Sequence, residues 1–256
     1  MNVLPKVDYS LRKYAYMRGN NQAIFFASTG ILAVCTLGRL MEYGADGLEW
    51  YVDALRQSVE NYFLPDGGTY EGGAYHDASA SRALVGFAVA ARYWDGPLEE
   101  LLPPALLRAG AYYRVMASTA FPGCYVNTSD GGRVGKRFAE GVPHLARITG
   151  DEALQGLAGA LCEPDDEGCI QGAIPLLERG PDQLPASAVI PPVFEILEHT
   201  GMLCSCRATD DGPVRLQLVG AKAGAGHGHE DKGSIVLEAF GEELLVDRGT
   251  CFYGDA

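Results

Sequence analysis

The sequence predicts an α+β chain in two parts, a helical domain over residues 1–200 and an antiparallel β domain over 201–256. Apolar residues recur at helical spacing from about residue 21 to residue 200. Gly- and Pro-rich stretches interrupt that spacing at intervals. After Thr200-Gly201 the pattern alternates, as in half-buried strands. With 47% of its 256 residues hydrophobic, the chain can bury one sizeable core or two smaller ones.

In the helical part, Ile24, Ala27, Ser28, Ile31 and Cys35 share one helix face, and Leu48, Tyr51, Val52, Leu55, Val59 and Tyr62 share another. Gly44 stops the first helix, Asp46 caps the second, and Pro65-Asp66-Gly67-Gly68 forms a turn. Asp77 caps a third helix running to about Trp94, and further helices are expected at about 101–118, 151–162 and 168–179. Strands are expected at 202–207, 214–219, 233–240 and 243–246, with Phe240-Gly241-Glu242 turning the last two into a hairpin. Four strands ending at Ala256 leave an open edge, so the expectation is an incomplete β domain or a partner, such as a second copy in a homodimer, covering it.

The net charge of −13 excludes a sequence-independent nucleic-acid binder, which needs clustered Lys and Arg. It also opposes a polyanionic substrate unless a local field overrides it. The one dense basic cluster of the helical region is Arg133, Lys136 and Arg137, either a solvated loop or a contact for an anionic chain. Seven cysteines without CxxC spacing read as scattered thiols. Cys204 and Cys206, two apart on a strand, point the same way. Between Arg18 and Arg39 no residue is charged, yet polar Asn20-Asn21-Gln22, Ser28 and Thr29 interrupt the apolar run. It falls short of the roughly 20 residues a membrane span needs, and no signal peptide is read there.

The most informative segment is Gly224-Ala-Gly-His227-Gly-His229-Glu230-Asp231, leading to Leu-Leu-Val-Asp247-Arg-Gly249. Histidines at i and i+2 on a strand project to one face and could meet one metal or one substrate. Asp247 on the return strand could face His229, and a carboxylate beside an imidazole suits zinc. A cupin-like metalloenzyme also uses HxH, but requires a glutamate where Gly233 and Ser234 stand. A phosphate loop at Gly131-Gly-Arg-Val-Gly-Lys136 lacks the spacing and the Ser/Thr after lysine.

The whole string resembles the heparinase II/III-like polysaccharide lyases, where a glycine-flanked H-x-H-x-D-x-G-S/F motif precedes a strand, a G-E turn and an L-x-V-D-x-G strand ending near a tyrosine, here Tyr253. Two further stretches resemble that family. Leu64-Pro-Asp-Gly-Gly-Thr-Tyr-Glu71-Gly-Gly-Ala-Tyr75-His76 is similar to its D-G-x-x-x-E-x-x-x-Y-H stretch, and Gly19-Asn20-Asn21-Gln22 to the N-N-H that opens a toroid helix, with Gln22 where relatives often carry histidine. The resemblance implies an incomplete (α/α) toroid of antiparallel helices followed by a partial antiparallel β-sandwich. It implies Tyr75 as the proton-transfer residue, His227 and Asn21 as catalytic contacts, and Asn20, Gln22, Glu71 and His76 as substrate contacts. It also implies a structural zinc on His229 and Asp247, whose third ligand lies beyond Ala256. By resemblance the protein is periplasmic or secreted, whereas a native start at Met1 implies no export signal.

The chemistry such a lyase performs accounts for these residue types. Abstracting C5–H beside a uronate carboxylate builds negative charge that an amide or imidazolium must stabilise. One phenol can take that proton and return it to the departing C4 oxygen if both lie on one side of the sugar. A phenol has an ordinary pKa of about 10, so positive charge must favour its anion; His76 and Arg82 are the local candidates. The expected partner is an acidic polysaccharide such as heparan sulfate, another glycosaminoglycan or alginate. The alternative is a non-catalytic carbohydrate-binding relative.

Overall fold

A computed structural model describes residues 11, 19–41, 45–93, 98–126, 128, 141–161, 192–220 and 233–247. Among them the helices are α1 (Asn21–Met41), α2 (Ala45–Tyr62), α3 (Gly73–Ala91), α4 (Leu98–Leu101), α5 (Pro104–Leu107), α6 (Ala109–Met116), α7 (Gly141–Thr149) and α8 (Glu152–Leu161). The strands are β1 (Val193–Leu197), β2 (Met202–Thr209), β3 (Gly212–Val219), β4 (Ser234–Ala239) and β5 (Glu242–Leu245).

The apolar faces expected of α1 and α2 do bury: Ile24, Ala27, Ile31, Leu55 and Val59 all lie in the core. Contacts fix the helix directions. Gly30 of α1 meets the Tyr51 ring, while Ser28 and Leu55 both close on Gly86 of α3. Phe63, just past α2, lies edge-on to His76 near the start of α3. Residue numbers therefore rise along α1 as they fall along α2, and rise along α2 as they fall along α3. It follows that α1 and α3 run parallel, with their N-termini at the same end. Gly30 and Gly86 permit this close packing, since a Cβ on Gly30 would sit 2.2 Å from the Tyr51 ring.

The helix expected at 101–118 is instead three short ones, α4, α5 and α6. Pro103 and Pro104 cause the break: each lacks an N–H, and a proline disfavours helical backbone in the residue before it. Asp77 is not a cap. α3 begins four residues earlier, at Gly73, and the Asp77 carboxylate is buried inside it, accepting from the Tyr113 hydroxyl at 2.5 Å. α7 was not expected from the sequence; Pro143 falls in its first turn, where a missing N–H is cheap. His144 is buried within it. The helix expected at 168–179 lies outside the described residues.

The sheet is an antiparallel meander in the order β1-β2-β3-β4-β5. It begins at Val193, eight residues before the expected boundary at 201, since β1 falls in the stretch expected to be helical. The hairpin turn is Phe240-Gly241, both with positive φ, 58° and 81°. That geometry matches strand twist and is one that glycine adopts freely.

Register assigns the sheet's faces. On the buried face, Cys206, Arg215 and Glu238 form one row and Cys204, Gln217 and Val236 another; the two cysteines do point the same way, into the core. This face lies on α6 and the residues after it. The Arg215 guanidinium donates to the Val115 carbonyl and to Gln217, and Glu238 accepts from Ser118 and Thr119. Arg114 of α6 adds an ion pair to Glu195 of β1 and one to Asp151, which also caps α8. The opposite face carries Ile196, Leu203, Leu218 and Ile235 in register, and is largely apolar and exposed. Such a face is what a second sheet covers in a sandwich. Among the described residues there is only this one sheet.

Candidate functional site

The parallel course of α1 and α3 brings two sequence-predicted groups to one end of the helical layer. Asn20 and Asn21 stand at the start of α1, half-buried, with Gln22 exposed beside them; Tyr75 stands half-buried in the first turn of α3. The Asn20 side-chain oxygen is buried and has no hydrogen-bond partner, so it does not cap α1. Both helices present the positive ends of their dipoles here, which favours negative charge. An acidic chain can hold an anion at such a place because backbone dipoles supply the local field.

The loop from Pro65 to Gly72 connects this end to the sheet. Asp66 accepts hydrogen bonds from the Gly68 N–H at 3.2 Å, the His199 N–H at 2.7 Å, and the Thr200 N–H and hydroxyl at 2.8 and 2.7 Å. The sequence predicts only a turn here; the loop is a latch across 134 residues to the β1–β2 turn. Gly68 is required by the closeness of the two, since its Cβ would sit 1.9 Å from the Thr200 hydroxyl. Burial pushes the Asp66 carboxyl up, but the hydrogen bonds from Thr200, Gly68 and His199 outweigh it and hold the group below its ordinary 3.8. A depressed folded-state pKa stabilises above the unfolded value, and that contribution disappears as pH falls through the folded value. Thermal melts should therefore show the wild type losing stability below about pH 4, and Asp66→Asn should be less stable at neutral pH and lose less on acidification. Parallel pH profiles for the two would show that the latch does not titrate.

His76 is a correction to the expected substrate contacts. It has no exposed surface, stacks on Tyr112 at 4.3 Å and meets Phe63 and Tyr113 edge-on. Its Nε2 donates to the Gly67 carbonyl at 2.9 Å, and burial drives its pKa down to about 3. It is a neutral packing residue that braces the loop, so it is not the cation that favours a Tyr75 anion. Glu71 is also largely buried; it lies beside Tyr62, whose phenol is pushed well up, by burial first and then by the Glu71 charge.

His227, His229, Arg133 and Lys136 lie outside the described residues. The chain between β3 and β4 that carries the two histidines leaves at Gly220 and returns at Gly233, which bond to the Gly201 and Val219 carbonyls. Those anchors are at the end of the sheet that Asp66 latches. Asp247, expected on the return strand, falls two residues past the end of β5 and is half-buried. Of the two expected zinc ligands only Asp247 is described, and among the described residues no three His, Cys, Asp or Glu side chains converge on one point. No helix among the described residues is long and apolar enough to cross a membrane. A cleft of about 390 Å³ beside β1 is lined by Asp66, Arg108, Arg114, Asp151 and Glu195, and by none of the residues expected from sequence.

No family model matches the sequence, and no curated protein matches it. Solved structures do. A crystal structure of heparinase III matches with a TM-score of 0.64 at 18% identity, covering 97% of this chain and 37% of the other. A heparinase III gene product matches at 0.62 and 17%, covering 91% and 33%. The heparan sulfate lyase HepC from Pedobacter heparinus matches at 0.59 and 15%, covering 88% and 32%. The chain therefore has the fold of part of heparinase III, helical layers followed by an antiparallel sheet, and spans about a third of the length of these structures.

Proposed function

We propose that the chain forms the catalytic junction of a polysaccharide lyase that cleaves uronic-acid-containing chains, either alginate or a glycosaminoglycan such as heparan sulfate, by β-elimination. The observation that carries this reading is the parallel course of α1 and α3, which puts the helix starts bearing Asn20, Asn21 and Tyr75 at one end of the helical layer. Support also comes from the latch that fixes the sheet's end there and from the structural likeness to heparan sulfate lyases. In this reading Asn21 and His227 stabilise the charge that grows on the uronate carboxylate as C5–H breaks. The Tyr75 phenolate takes that proton, the C5 electrons form the C4–C5 double bond, and the C4–O bond breaks. Tyr75 then returns the proton to the departing oxygen, leaving an unsaturated uronate and no consumed water.

Incubation with a panel of uronate polysaccharides tests this through the ultraviolet absorbance of the unsaturated product. Absorbance should rise with at least one member; binding without any rise would favour the carbohydrate-binding alternative. Structural zinc on His229 and Asp247 is a separate proposal. Metal analysis should find zinc in the purified chain and much less in His229→Ala, and equal metal content in both would refute it.

A further inference from the structure

α3 is buried along nearly its whole length, and between Gly73 and Ala90 only Ala74, Tyr75, Ala78 and Arg82 are not fully enclosed. Tyr75, Ala78 and Arg82 are spaced i, i+3 and i+7, so they form one accessible stripe on the helix. The neighbouring face of α1 contributes half-buried Phe25, one turn beyond Asn21. The Arg82 guanidinium carbon lies over the Phe25 ring, 5.5 Å from its centroid, while the Arg82 carbonyl accepts from the Ser28 hydroxyl at 2.7 Å. The side chain thus reaches back three α1 residues towards the N-terminal end, the direction in which helical side chains lean. Its charge stands level with Phe25, about 6 Å along the axis from Asn21.

Among the described residues the guanidinium has no carboxylate partner. That is unusual for a half-buried arginine in a chain of net charge −13. The Phe25 face holds the cation in place without neutralising it. A planar fork presented this way fits a carboxylate or a sulfate by paired hydrogen bonds. We propose that Arg82 is the anion-reading residue of the surface where α1 meets α3, gripping the carboxylate or sulfate of the sugar next to the one held at Tyr75. The inference rests on the lyase reading for the identity of the ligand, but its test reads binding as well as turnover.

The test is calorimetric titration of the full chain with three probes: an unsulfated uronate tetrasaccharide, its N-sulfated counterpart and a neutral tetrasaccharide. Arg82→Ala should weaken the acidic probes by about tenfold to a hundredfold, the worth of one charge-assisted pair, and leave the neutral one unchanged. Arg82→Lys, which keeps the charge and loses the fork, should fall between, and it carries the test if the alanine variant fails to fold. Loss confined to the sulfated probe assigns the sulfate; loss on both acidic probes assigns the carboxylate. Acidic probes that bind Arg82→Ala as well as wild type, or that do not bind the wild type, overturn the inference. Arg82-dependent binding without unsaturated product would sink the lyase reading alone, whereas product formation with KM unchanged in Arg82→Ala would sink this inference alone.

Discussion

Replacing Tyr75 with phenylalanine is expected to lower kcat for uronate-polysaccharide cleavage by about a hundred- to ten-thousand-fold, the range in which a positioned proton-transfer group acts. KM should change little, because the exposed part of the ring remains. The melting temperature should also stay near that of wild type, since Tyr75 is half-buried rather than part of the core. Position matters here as much as residue type. Of the buried tyrosines near this end, Tyr62 and Tyr112 are sealed in the core with their phenols pushed up by burial, so neither can offer an anion to a substrate. Tyr75 is the tyrosine on the accessible stripe of α3, at the same end as the asparagines of α1. Full turnover in Tyr75→Phe, measured by initial rates, would remove it from the chemistry.

The second large effect concerns stability. Glu238→Ala is expected to destabilise the chain by about 2–4 kcal/mol, the cost of taking the acceptor from several buried donors, and to lower the melting temperature by about 5–10 °C. Glu238 has no exposed surface and accepts from the Ser118 hydroxyl at 2.5 Å, the Thr119 N–H at 2.6 Å and the Thr119 hydroxyl at 2.9 Å. Its register partner across the sheet is Arg215, equally buried. Without the carboxylate, the guanidinium keeps its charge inside the protein and the Thr119 N–H loses its acceptor. Because these bonds join β4 to the residues following α6, the loss should be cooperative, with helices and sheet melting together. A chemical-denaturation curve within about 1 kcal/mol of wild type would show that this junction is not a principal tie between the layers.

Several parts of this structure were legible in the sequence because their signal is local. The faces of α1 and α2, the alternation in β2 and β3, and the Phe240-Gly241 turn each follow from a few neighbouring residues. β1 was not legible. In Val193-Phe-Glu-Ile-Leu197 the outward positions Phe194 and Ile196 are themselves apolar and exposed, so no polar–apolar alternation marks the strand. Asp77 was misread for a related reason: an aspartate near a helix start suggests a cap, and only packing shows that Tyr113 has drawn it inside. The candidate site divides in the same way. Tyr75 and the Asn20-Asn21 pair are singled out by motif, and their standing at one end depends on α1 and α3 running parallel, which no short window encodes. The latch at Asp66 spans 134 residues and has no local signature beyond a turn. His76, adjacent to Tyr75 in sequence, points into the core because the helix turns it there, and adjacency alone gave it the wrong role.

The most direct measurement is the structure of the chain ends left after exhaustive digestion of a cleaved uronate polysaccharide, read by NMR. β-Elimination through Tyr75 predicts that each new non-reducing end carries a C4–C5 double bond and that no water is added across the broken linkage. A saturated uronate at those ends, the mark of hydrolysis, or a polymer left unchanged would contradict the account.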